Sequence, residues 1–179
     1  MRVLLFVVLV FLSSGASAAS PDQSKQISTE VVTEFVQACF RRFPFPDEFS
    51  AWLKQHAYQK LSKQKSEPFL ANRSDEAWAG RTPNSEFILV TSAHSACTVF
   101  AAGLDEKTTI EMVKGFLGYL ETQGATWSER DTTSAKAGPG YSSTDYSIVL
   151  DGRAMANITL SIAPPRPDGF QFALTVARG

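Results

Sequence analysis

The chain has 179 residues, 44% of them hydrophobic and 20% charged, with 17 basic against 18 acidic side chains. That is material for one ordinary globular domain and too little for two full-sized ones. It excludes a disordered tail, a collagen-like rod and a disulfide-dense miniprotein, and a net charge of −1 gives a nucleic-acid binder no footing.

The first residues read as a targeting segment. Met1-Arg2 supplies a positive charge, Val3 to Leu12 is an unbroken apolar run, and Ala16-Ser17-Ala18 follows in a small, polar stretch. A cationic start, a short greasy core and an A-x-A site make a secretory signal peptide, cleaved after Ala18. The alternative is an uncleaved anchor, but the run is far shorter than the ~20 residues of a spanning helix. Residues 1–18 are thus read as a signal peptide and 19–179 as a single globular α+β domain. No later apolar stretch approaches membrane length, so no span is expected after cleavage.

Ala19 to Gln26 reads as a loose leader. From Ser28 or Thr29 a helix is marked by Val31, Val32, Phe35, Val36, Cys39 and Phe40 at three-to-four spacing. Phe43-Pro44-Phe45-Pro46 interrupts it, and Asp47 opens a second helix with Phe49, Trp52, Leu53 and Ala57 on its apolar face. Ser62 to Pro68 reads as a solvated linker, and Phe69 to Pro83 as irregular chain around a packed Trp78. The period then changes to two. Phe87 to Thr91 and Cys97 to Ala101 form an expected hairpin about Ser92 to Ser95. Asp105 caps a third helix, striped by Ile110, Val113, Leu117 and Leu120 and stopped near Gly124. Ala125 to Glu129 offers a short strand, and Thr132 to Gly140 a loop.

The last forty residues carry the clearest alternation. Tyr146, Ile148 and Leu150 lead to Asp151-Gly152, a pair suited to a type I′ turn. Ala154 to Ile162 alternates on the far side, and Phe170, Phe172, Leu174 and Val176 form the third strand of a meander. The expected fold is α+β: one antiparallel sheet, built from hairpin, helix and three-strand meander, with helices packed on one face. That order resembles profilin-like and roadblock-like folds, an analogy that carries no function.

Both cysteines, Cys39 and Cys97, fall in the mature part and lie 58 residues apart. That spacing excludes a CxxC redox site or a compact zinc motif. Export favours pairing them into a disulfide between helix and strand; two buried free thiols are the alternative.

The inventory for catalysis is thin. His56 lies on the second helix among Lys54, Gln55 and Gln59, most simply on a solvated face. His94 sits at the expected hairpin tip beside Ser92 and Ser95, without any G-x-S-x-G elbow. Asp47-Glu48 and Asp105-Glu106 each begin a helix, where capping explains them. No metal or cofactor motif occurs, and none is expected bound. Asn72-Arg73-Ser74 and Asn157-Ile158-Thr159 fit the glycosylation pattern and are read as chance. Phe43, Phe45, Phe49 and Trp52 crowd around the helix break; they either seal a core edge or form an interaction patch.

The helix-borne Cys39 ahead of Phe45-Pro46-Asp47-Glu48-Phe49, and the strand-borne Cys97 ahead of Gly103-Leu104-Asp105, resemble exported proteobacterial proteins of unknown function. The resemblance implies a Gram-negative periplasm and carries no activity with it. The expected function is a non-catalytic periplasmic or secreted domain that binds an envelope protein or a small ligand. The alternative is a small periplasmic hydrolase using His94.

Overall fold

A computed structural model describes residues 20–70, 75–92, 95–134, 139–164 and 169–178. The expected signal peptide of residues 1–18 and His94 lie outside these residues. The described chain is α+β, a single antiparallel sheet of eight strands with its main helices gathered over one face.

The first helix, α1 (Pro21–Phe35), begins well before its apolar stripe. The Ser20 hydroxyl accepts from the Gln23 amide, and Pro21 occupies the first turn, where a missing N–H costs nothing. Residues 21–26 of the expected loose leader are therefore the first turn and a half of the helix. Ile27, Val31, Val32 and Phe35 point inward. At Val36 the helix widens into a seven-residue π-helical segment, Val36–Arg42, closed by an i to i−5 bond from Phe43 N to the Ala38 carbonyl at 2.9 Å. The two prolines then break the chain, and Pro46 opens α2 (Pro46–Gln55).

The chain next runs through β1 (Gln59–Lys60) and α3 (Lys63–Ser66), then a 3₁₀ turn over Glu67–Phe69. Four strands meander across the first part of the sheet: β1, β2 (Glu76–Arg81), β3 (Glu86–Ser92) and β4 (Ala96–Ala101). After α4 (Glu106–Thr122) come β5 (Ala125–Asp131), β6 (Ser142–Leu150), β7 (Arg153–Ile162) and β8 (Phe172–Arg178). The sheet order is β1-β2-β3-β4-β8-β7-β6-β5, so the two meanders meet where β4 pairs with β8.

Residue alternation sorts the two faces. In register across the helix-covered face lie Leu89, Val99, Leu174 and Leu160, with Phe87, Ala101 and Phe172 beside them. All are buried, and they form one core with α1, the π segment, α2 and α4. On the other face the register aligns Thr98, Thr175, Thr159, Asp145 and Arg130 across five strands. Thr98 and Thr175 hydroxyls meet at 2.9 Å, and Thr159 donates to Asp145 at 2.7 Å. Phe69 crosses onto this outer face and packs against Phe100 and Phe170.

The β6–β7 hairpin turns at Asp151 and Gly152, both at positive φ (52° and 72°), as its sequence demands. The chain between Phe69 and Pro83, expected to be irregular, instead contains β2, and the short strand expected from Ala125 extends to Asp131.

Candidate binding groove

The disulfide between Cys39 and Cys97 joins the π-helical segment to β4, with Cα atoms 5.3 Å apart. It pins that segment over the centre of the sheet. Arg178 holds it from a second side: its Nη2 donates to the Phe40 carbonyl at 3.0 Å. That carbonyl lies at the end of a helix, where carbonyls lack a partner within the helix. Burial lowers the Arg178 pKa from its ordinary value.

Beside this segment, α1 and α4 run in the same direction. Their crossing is fixed by a buried knot of hydroxyls. Thr109 donates to the Asp105 carbonyl at 2.8 Å with its oxygen 3.1 Å from that of Ser28, while Ser28 accepts from the Asp105 amide at 2.8 Å. The Asp105 carboxylate caps α4 through the Thr108 hydroxyl and amide, which hold it below the usual carboxylate range. Midway along its length α4 is tied to β5 by Lys114 and Glu129, 2.8 Å apart.

Past the knot the two helices part, and a groove of about 300 Å³ opens between them. Val32, Thr33, Val36 and Gln37 form one wall, and Glu111, Met112, Gly115 and Phe116 the other. Two local features make the space. Val36 and Gln37 begin the widened π turn, and π segments recur at functional sites. Gly115 supplies no side chain, and a Cβ placed there would meet nothing within 4 Å. The same holds for Gly118 one turn on. Each glycine inside a helix costs roughly 0.5–1 kcal/mol relative to alanine. Neither position is needed for close packing among the described residues. Phe116 is braced at the groove by an edge-on contact with Phe40, ring centres 4.8 Å apart. The lining is mostly apolar; its charged member, Glu111, faces Lys107 at 3.9 Å along the exposed side of α4.

The aromatic cluster singled out in the sequence divides. Phe43, Phe49 and Trp52 are buried, with Phe49 edge-on to both Phe43 and Trp78. Phe45 is 55% exposed and is the member that reaches solvent. Arg42 lies over the Trp52 ring at 5.5 Å, and His56 stacks on Trp52 at 4.4 Å with Nδ1 3.0 Å from the Trp52 carbonyl oxygen. His56 is thus a helix-end side chain on an aromatic face. Among the described residues no three His, Cys, Asp or Glu side chains come together as a metal site would require. Glycines within the α4 stripe were the signal for the groove. A helix-period reading passes over them, because it counts apolar side chains and not missing ones.

Comparison of the chain with protein-family models, with curated proteins and with solved structures gives no match.

Proposed function

We propose that this chain is an exported, non-catalytic binding domain of a bacterial envelope, periplasmic or secreted, which receives an apolar group of a protein partner or small ligand in the α1–α4 groove. The groove carries the reading: about 300 Å³, apolar walls and a few polar groups at the rim match the lower end of small-ligand pockets. Export is supported by the leader of residues 1–18 and by the Cys39–Cys97 disulfide, a bond that persists in oxidising compartments. Among the described residues no helix is long and apolar enough to cross a membrane.

The test is a fluorescence titration of residues 19–179 with N-phenyl-1-naphthylamine, a neutral apolar probe. Saturable uptake is expected, lost in Gly115→Leu, whose side chain fills the groove, and kept in Thr159→Ala on the outer sheet face. Equal uptake by wild type and Gly115→Leu would remove the groove from the account.

A further inference from the structure

The solvent side of α4 presents a projection and a hollow on the same face. Tyr119 is the projection, 50% exposed. Gly115 is the hollow: it lines the groove and has open space where a side chain would be. The two are four residues apart, so they lie one above the other along one face of the helix. An arrangement of this kind complements itself. If a second α4 is laid antiparallel across the first, with a two-fold axis at the level of Leu117, Tyr119 of each copy stands opposite Gly115 of the other. The contact is then made twice by a single pair of positions, as a two-fold interface requires.

We infer that the groove's occupant is the Tyr119 ring of a second copy of this chain, inserted beside Gly115, and that the protein pairs through α4. This rests on the groove being a seat for an apolar group, and it names that group. The hollow of about 300 Å³ has room for a phenol ring between Met112, Phe116 and Val36. Gly115 and Gly118 let the two helix backbones approach closely, which accounts for two helix-interior glycines that no packing among the described residues requires. Charge agrees with the geometry. The contacting stripe of Thr108, Glu111, Gly115, Gly118, Tyr119 and Thr122 contains a single charged residue. Antiparallel pairing keeps the two Glu111 carboxylates apart. The two Glu111 residues are then 12 residues apart along the helices, about 18 Å. A parallel pair would bring them face to face. Tyrosine is among the residues that most often dominate such contacts, because it buries a large rigid ring at low entropic cost.

Sedimentation velocity of residues 19–179 over a concentration series, under non-reducing conditions, reads the pairing directly. Wild type is expected to pass from monomer to dimer. Tyr119→Ala and Gly115→Leu should each weaken the dimer by about 30-fold or more, as removal of a dominant contact does. Tyr119 is exposed and a Cβ at Gly115 meets nothing, so both variants retain the fold, checked by circular dichroism. Probe uptake separates the two roles. At concentrations where wild type is paired, Tyr119→Ala takes up more N-phenyl-1-naphthylamine than wild type, whereas Gly115→Leu takes up less. A wild type that stays monomeric yet takes up the probe overturns the pairing and leaves the groove open to a different apolar ligand. A dimer indifferent to both substitutions overturns it as well. Absence of uptake in wild type and Tyr119→Ala alike overturns the underlying reading of the groove.

Discussion

Gly80 is set against the Phe87 ring, which lies across it in the paired strand. A Cβ at this position would fall 2.4 Å from Phe87 and 2.8 Å from Tyr58. Phe87 is fully enclosed and has nowhere to retreat. Gly80→Ala is therefore expected to destabilise the fold by about 1–3 kcal/mol, read as a lower urea midpoint. Gly115→Leu, at the groove, should raise that midpoint slightly, because the helix regains the roughly 0.5–1 kcal/mol that a glycine costs it, so the two glycines differ by what surrounds them. Glu30 makes a second residue-scale case. Burial pushes its carboxyl pKa up, but bonds from Thr82, from the Asn84 side chain and backbone, and from Gln26 outweigh this and lower it below 4.5. A depressed folded-state value means that the stabilisation is present above the unfolded value and disappears as pH falls through the folded one. Wild type should thus lose stability below pH 4.5 more steeply than Glu30→Gln, in denaturant titrations at a series of acid pH values.

At the scale of elements, the π-helical segment is the part most dependent on outside support. Its hydrogen bonds are those of a rare helix type, while the disulfide and Arg178 hold it from two neighbouring strands. Closing a loop of 58 residues stabilises the fold by about 4 kcal/mol in the chain-entropy account. Replacing Cys39 and Cys97 together by serine should lower the unfolding free energy by roughly 2–5 kcal/mol, measured by chemical denaturation. Which elements were legible follows from the same physics. The β6–β7–β8 meander was readable because apolar residues alternate over nearly its whole length and Asp151-Gly152 admits few other turns. The disulfide was readable because two cysteines in apolar patterns, 58 residues apart, fit neither a redox nor a metal motif. The strand β2 was not, because Glu76-Ala77-Trp78-Ala79-Gly80-Arg81 has weak β propensity and owes its pairing to β3. The start of α1 was missed because Pro21 to Gln26 is polar on all sides, although Ser20-Pro21 is itself a helix-start signal. The groove escaped notice for a different reason. It arises from a helix widening by one residue per turn beside another helix that lacks side chains, and neither leaves a periodic trace. The aromatic cluster follows the π-helical segment, and all of it but Phe45 points into the interior of the molecule.

On the scale of the whole molecule, helices cover one face, and the other carries an aligned polar row beside the aromatic group of Phe69, Phe100 and Phe170. The helix layer is also where the chain departs from ideal geometry: a π turn, a proline break, two open glycines. The sheet is regular by comparison, with its register shift at Ile148/Val149 in the far meander. Its centre is the β4–β8 pair, and this has a consequence in time as well as space. Some seventy residues of chain separate those two strands, and β8 follows every other strand of the sheet. As the polypeptide emerges from its N-terminal end, β4 must wait with one edge unpaired while α4 and the β5–β7 ribbon are made behind it. The keystone arrives after the arch. Until β8 is in place the two meanders share no strand pair, and the sheet stays in two halves.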